Sequence, residues 1–186
     1  NDDSGQLVFA LQAIENTEVL NTLVDILNTR GVNAAPSIVR VIGRLGSAKN
    51  LDRLVDIASD SKHPLLESAL LGLLDAVRER GVVPEQGTLK TLQNGLNSRS
   101  PKVIATACKL AGFWKESALT TQMQELLTNR GSTDEIRHAA GEALTHLDSR
   151  KVRKFLRSLI RSDGGIESRL TAATTLTVLD LNAGAD

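Results

Sequence analysis

Apolar residues recur along the chain in steps of three and four, which is the period of one face of an α-helix. One such stripe consists of Leu65, Leu66, Ala69, Leu70, Leu73, Leu74 and Val77, and another of Ile136, Ala139, Ala140, Ala143, Leu144 and Leu147. No segment alternates apolar and polar residues over the length of a strand. The pattern therefore predicts an all-α protein with no sheet.

The stripes come in pairs separated by short polar breaks. After the break at Asp148-Ser149, a second stripe follows the one over residues 136–147, and it consists of Val152, Phe155, Leu156, Leu159 and Ile160. Each stripe is too wide for a lone helical hairpin to bury. Stacked hairpins bury such faces against their neighbours, which favours a solenoid.

Short sequences return with a period of about 32 residues, as expected for helical repeats. The run Leu-Val-Asp-Ile-Leu at 23–27 returns as Leu-Val-Asp-Ile-Ala at 54–58. We predict a single array of about 11 helices over residues 1–186. Its units lie near 4–33, 36–61, 64–98, 101–131, 134–162 and 166–181, and the last unit is incomplete.

Proline and glycine mark the ends of the predicted helices. A proline opens a helical pattern at positions 36, 64 and 101, where the missing N–H is harmless. An Arg-Gly pair closes a pattern at 30–31, 80–81 and 130–131. We expect each of these glycines to adopt the left-handed conformation that ends a helix.

Residues 134–144, with the sequence DEIRHAAGEAL, resemble the first helix of a HEAT-like repeat of the bilin-lyase-associated type. That pattern has an acid, a β-branched residue and Arg, then paired alanines, then Ala-Leu. The resemblance implies a right-handed α-solenoid of antiparallel helix pairs, with the second helices lining a concave face. It also implies that small residues allow close packing, and that the arginine, here Arg137, pairs with acids of the neighbouring unit.

Some large exported bacterial proteins carry HEAT-like repeats between a propeller domain and a c-type haem domain, and this chain is similar in style. It has no haem signature, because Cys108 is its only cysteine. The resemblance implies one possible role, as an accessory repeat in a larger, exported redox enzyme. We expect a segment of a larger protein, since the last unit has only one helix and the chain does not begin with Met.

Targeting signals are absent from this sequence. It contains neither a signal-peptide pattern nor an apolar run long enough to cross a membrane. A cytoplasmic location is favoured, and a periplasmic one applies if the chain belongs to an exported protein.

Composition excludes some classes of binding protein. Aromatic residues make up 2% of the chain, which argues against base-stacking or sugar-binding platforms. The charges of its 22 basic and 22 acidic residues cancel, so its formal net charge is zero. The balance hides an asymmetry, because residues 1–93 hold 9 basic and 12 acidic side chains, and residues 94–186 hold 13 and 10.

The excess of positive charge is concentrated in residues 150–161. Arg150, Lys154, Arg157 and Arg161 follow helical spacing and share one stripe. If this second helix lines a concave face, the stripe is a candidate site for an acidic protein segment. The alternatives are a solvated face balanced by nearby acids, or a site for nucleic acid or another polyanion.

Trp114 is the one other candidate binding residue. It corresponds by repeat position to Leu147, a member of an apolar stripe, so packing between helices is the simpler interpretation. The alternative is an exposed anchor for a partner.

We predict no catalytic, metal-binding or cofactor-binding residues. His138 and His146 are eight residues apart on one predicted helix, which is a poor spacing for a shared metal. Cys108 has no base near it in sequence, so it is interpreted as a buried filler; a pair with His138 is the alternative. The predicted function is a non-catalytic protein-interaction or scaffolding module with a protein partner; its oligomeric state stays open.

Overall fold

The structure is a computed structural model that describes residues 20, 22–23, 35–147 and 149–183. These residues form nine α-helices and one turn of 3₁₀-helix, with no β-strand among them. The predicted all-α fold class is confirmed. The first predicted repeat unit, 4–33, lies almost entirely outside the described residues.

The chain forms two compact units, of which the first ends at Ser98. Its described helices are α1 (Ala35–Leu45), α2 (Ala48–Ala58), α3 (Leu66–Arg80) and α4 (Thr88–Leu96). Helix α1 packs along α3, and α2 contacts both α3 and α4. The first helices of two successive predicted units therefore lie side by side.

The second compact unit begins at Arg99. Its helices are α5 (Pro101–Phe113), α6 (Thr120–Thr128), α7 (Asp134–His146), α8 (Arg150–Ile160) and α9 (Ile166–Ala183), and a 3₁₀ turn at Ser117–Leu119 precedes α6. Helix α7 packs between α5 and α9, α6 packs on α7, and α8 packs on α9. The boundaries of the six repeat units remain a prediction.

Three helices begin at a side chain that accepts a backbone N–H. The Ser47 hydroxyl caps α2 and forms a reciprocal capping box with Asn50. Thr133 accepts the N–H of Ile136 at the start of α7, and Ser149 accepts that of Val152 at the start of α8. These bonds satisfy N–H groups that have no partner within the helix.

The three predicted glycine caps have different outcomes. Gly81 ends α3 in the left-handed conformation, with φ of 66°. At Gly131 the prediction is wrong: it has no positive φ, and its N–H donates to the Asn129 side chain in the turn after α6. The physical reason is that Asn129 already supplies the turn. Gly31 lies outside the described residues.

Arg80 does more than provide positive charge at the end of α3. Its Nη2 donates to the carbonyl oxygens of Gly43 at 2.9 Å and Gly46 at 2.8 Å. Carbonyls at a helix end have no partner within the helix, so this contact joins α3 to the end of α1. Burial lowers the pKa of Arg80, while the neighbouring Glu79 acts in the opposite direction.

The first helices approach each other so closely that some positions have no room for a side chain. A Cβ atom built on Gly43 in α1 would lie 2.5 Å from the carbonyl oxygen of Gly72 in α3. One built on Gly112 in α5 would lie 2.7 Å from the Cα of Ala143 in α7. Backbone atoms therefore face each other across these contacts.

Aliphatic side chains form the core around these contacts. The largest fully buried ones are Ile42, Leu51, Leu54, Leu70, Leu73, Leu92, Leu110, Met123, Leu127, Leu144, Leu156 and Leu179. Within the described part of the chain, no helix combines the length and apolarity needed to cross a bilayer.

Gly112→Ala is expected to destabilise the protein by about 1–3 kcal/mol despite the better helix propensity of alanine, because α5 and α7 must separate. Gly141→Ala is the matched control. The nearest atoms there are side-chain atoms of Thr175, at 2.7 Å, and Thr171, at 3.0 Å, rather than backbone atoms, so a smaller loss is expected. Urea unfolding of both variants measures the difference. Equal stability of Gly112→Ala and wild type would contradict the close backbone contact.

Leu144→Ala is expected to cost about 2–5 kcal/mol, because this side chain is fully buried and its removal leaves a cavity. Leu170→Ala, at a position that is 66% exposed, should change stability by less than about 0.5 kcal/mol. Thermal or urea unfolding compares the pair. A change under about 0.5 kcal/mol for Leu144→Ala would mean that the apolar stripe of α7 is misplaced.

Candidate functional site

Helix α8 separates apolar and cationic residues onto opposite sides. Val152, Leu156 and Leu159 are buried. Arg150, Lys154, Arg157 and Arg161 are all exposed, and we call them the basic stripe. The predicted shared stripe is therefore present on the surface of the second compact unit.

Another arginine of α8, Arg153, has a structural role. Arg153 Nη1 lies 2.5 Å from Asp180 Oδ1, and its Nη2 donates to the carbonyl oxygen of Leu179 at 3.0 Å. At the other end of α8, Arg169 Nε donates to the carbonyl oxygen of Ile160 at 3.2 Å. These bonds join α8 and α9 at both ends, so the two helices run antiparallel.

The four cations of the basic stripe are not engaged in this way. Within the described part of the chain, none of them forms an ion pair with an acidic side chain. They are therefore available to an external anion.

Two concavities adjoin the basic stripe. One, of about 960 Å³, is lined by Arg150, Arg153, Lys154, Arg157, Ser158, Arg161 and Ser162. The other, of about 660 Å³, separates α6 and its preceding 3₁₀ turn from α8, and is lined by Ser117, Thr120, Thr121, Gln124, Ser149, Lys151, Lys154, Phe155 and Ser158. We call the second one the α6–α8 groove. Among the described residues, neither lining contains an acid.

The chemistry of this surface suits an extended anionic ligand. Guanidinium and ammonium groups bind carboxylates or phosphates, and the hydroxyls and amide of the α6–α8 groove can donate or accept hydrogen bonds. Phe155 is the one aromatic residue in the linings, and it is only half-exposed. The surface therefore offers charge and hydrogen bonds but no platform for stacking bases.

Trp114 lies apart from the basic stripe. It caps the end of α5, is half-buried, and lines neither concavity. Its indole Nε1 is buried without a hydrogen-bond partner. The structure thus brings the four predicted cations together and does not add Trp114 to them.

The sequence pattern does not predict all of the residues that line the α6–α8 groove. Ser117, Thr120 and Gln124 face α8 across the α6–α8 groove. The signal in the sequence is a cluster of hydroxyl residues at 117–121, which is typical of a helix start. That cluster contains no information about which distant helix it faces.

Two histidines and the cysteine make contacts within the fold, whereas His138 is exposed. His63 Nδ1 accepts the N–H of Leu65, and the His146 ring lies 4.5 Å from that of Phe113. Cys108 is fully buried, and burial raises the pKa of its thiol to about 12. In the described residues, no cluster of three or more His, Cys, Asp or Glu is placed to hold a metal ion.

The comparison with protein families identifies the repeat. A model described as HEAT repeats matches residues 89–177. Residues 89–177 are HEAT repeats. This confirms the family that was predicted from the sequence.

Among solved structures, human deoxyhypusine hydroxylase in complex with glycerol is similar to this chain. The identity is 15%, the match covers 97% of this chain and 82% of that one, and the TM-score is 0.43. A search of curated proteins found no significant match.

Arg137 does not pair with an acid of the neighbouring repeat unit, as the HEAT resemblance implies it should. Its Nη2 contacts Asp134 of the same helix at 3.3 Å, and its Nη1 donates to the carbonyl oxygen of Asn129 at 3.2 Å. The acid therefore comes from its own helix rather than from a neighbouring unit, because Asp134 lies one turn away on α7. Neighbouring first helices are linked instead by Lys109 and Glu142, whose charged atoms lie 3.7 Å apart.

The Cys108 thiol is expected to resist labelling by a thiol reagent in the native protein at neutral pH, since it is buried and protonated. Urea-unfolded protein should react at once. The raised pKa also predicts falling stability from about pH 9 upwards, because the unfolded thiol ionises first. Fast labelling of native protein would contradict the buried position.

Proposed function

We propose that this chain is a non-catalytic protein-binding module that takes an acidic segment of a partner along the basic stripe and into the α6–α8 groove. HEAT repeats generally mediate protein interaction or scaffolding, which supports the general role. The location of the site rests on charge. Arg150, Lys154, Arg157 and Arg161 are exposed, unpaired and aligned on one helix face.

Several cations in a row are needed for this role. One exposed ion pair contributes about 0–1 kcal/mol, so a single surface arginine would bind little. A partner with carboxylates at matching spacing would add these contributions and would be steered towards the surface by its charge. Binding of this kind weakens as salt increases.

The α6–α8 groove supplies the second element of recognition. Hydroxyls on both walls and the Gln124 amide can bond to the peptide groups of an extended segment. Lys154 and Ser158 line both concavities, so a segment lying on the stripe continues into the groove without a break. This arrangement favours an extended or partly extended ligand.

Nucleic acid is the second candidate ligand, because phosphates would also satisfy the basic stripe. The absence of exposed aromatic side chains along the linings argues against it, as does the zero net charge of the chain.

Lys154→Glu/Arg157→Glu is expected to weaken binding of a short poly-L-glutamate peptide by about tenfold or more, since reversal replaces two attractions with repulsions. Lys90→Glu is the matched control, because Lys90 is exposed on α4, outside the basic stripe. Fluorescence anisotropy at low and high salt measures both, and the control should bind like wild type.

Two results would contradict the proposal. In one, the glutamate peptide binds wild type and Lys154→Glu/Arg157→Glu equally well, or does not bind at all. In the other, single-stranded oligo-thymidine binds more tightly and with a steeper salt dependence than the glutamate peptide, which would favour the nucleic-acid alternative.

A further inference from the structure

Phe155 belongs to the apolar stripe of α8, but the core does not enclose it. The other stripe members Val152, Leu156 and Leu159 are buried, whereas Phe155 is half-exposed. Its ring forms part of the wall of the α6–α8 groove. Large aromatic side chains bury much of their surface in a typical fold, so a ring that lines a groove retains apolar surface that a ligand can cover.

The neighbours of this ring in the α6–α8 groove are cations and hydroxyls. On α8, Lys151 lies one turn before Phe155, Lys154 immediately before it and Ser158 one turn after it, and all of them line the groove. The opposite wall, from the 3₁₀ turn and α6, presents only hydroxyl and amide groups. Among the described lining residues, Phe155 is therefore the one apolar side chain.

A uniformly acidic ligand does not match this composition. A carboxylate placed against the Phe155 ring would lose its water without gaining a hydrogen bond, which is costly. An aliphatic side chain in the same place would remove apolar surface from water on both partners, which is favourable. The groove volume of about 660 Å³ provides room for such a side chain and the peptide groups beside it.

We propose that the acidic segment bound by this chain carries one large aliphatic residue, which packs against Phe155 in the α6–α8 groove, with acids on either side of it. The inference rests on the proposed function, because Lys151 and the basic stripe must accept those acids. Phe155 is then the residue that determines specificity. The cations attract acidic segments in general, and the ring selects those with an aliphatic residue at the right position.

The spacing of the ligand follows from the two backbones. In an extended segment every second side chain points to the same side, and such residues lie about 6.6 Å apart. Lys151 and Phe155 are four residues apart on a helix, which is about 6 Å along its axis. The acids that face α8 therefore lie two positions before and two positions after the aliphatic residue.

Three labelled nonapeptides test the inference on the full wild-type chain by fluorescence anisotropy. The first is Glu-Ser-Glu-Ser-Leu-Ser-Glu-Ser-Glu, the second has serine in place of leucine, and the third, Glu-Ser-Glu-Leu-Ser-Ser-Glu-Ser-Glu, has the same composition with leucine moved by one position. We expect the first to bind about three- to tenfold more tightly than the other two, because only its leucine covers the ring while its acids stay on the cations. All affinities should fall at high salt, but this ratio should persist, since salt screens charges and not apolar contacts.

Variants of Phe155 assign the preference to the ring. Phe155→Ala should bind the leucine and serine peptides equally, and it should retain the wild-type affinity for the serine peptide. Phe155→Leu should keep most of the preference, because it keeps an apolar side chain in the groove. Leu89→Ala, at an exposed aliphatic position in the first compact unit, is the control and should bind both peptides like wild type. Circular dichroism verifies that each variant is folded.

Three results would overturn the inference. The first is equal binding of the three peptides by wild type, which needs no variant and so does not depend on whether Phe155→Ala folds. The second is a preference for leucine that Phe155→Ala retains in full, which would mean that Phe155 serves only in packing. The third is a larger loss of oligo-thymidine binding than of peptide binding in Phe155→Ala, which would mean that the ring stacks on a base.

Failure of this inference is distinguishable from failure of the proposed function. If the serine peptide binds wild type and is weakened by Lys154→Glu/Arg157→Glu, but leucine adds nothing, only the role of Phe155 fails. If none of the peptides binds wild type at low salt, the proposed function fails as well.

Discussion

The close approach of the first helices is the constraint on which the rest of the structure depends. At Gly43 and Gly72, and again at Gly112 and Ala143, backbone lies against backbone with no room for a larger side chain. At this separation the aliphatic side chains on either side of the contact interdigitate and are almost completely buried. The positions of α6 on α7 and of α8 on α9 follow from that stack, and with them the α6–α8 groove.

The packing also divides the cations into two groups. Arg80, Arg137 and Arg153 donate to backbone carbonyls at helix ends or turns, where such groups otherwise lack partners. The basic stripe has no such role in the described part of the chain. The same residue type thus stabilises the fold at some positions and remains available to a partner at others, and only the surroundings of each guanidinium distinguish them.

The surface of the second compact unit combines two kinds of unsatisfied group. The cations of α8 lack counter-charges within the described residues, and the aliphatic residues of α9 lack a cover. Each kind of group contributes little to binding by itself, because exposed ion pairs are screened by salt and single exposed aliphatic residues are common on protein surfaces. Aligned on one helix face, the cations can add their small contributions towards one acidic ligand.

The sequence by itself determined the all-α class, the HEAT resemblance, the apolar stripes of the described helices and the shared stripe of Arg150, Lys154, Arg157 and Arg161. These follow from helical periodicity, which is local. Only the tertiary structure decided that Arg153 bonds to α9 and that Arg137 pairs with an acid of its own helix. It also decided that Asn129 rather than Gly131 forms the turn after α6, and that Ser117 and Gln124 face α8. Those outcomes depend on which helices meet and how closely. Periodicity specifies which side of a helix is buried, but the partner is selected by packing between residues far apart in the chain.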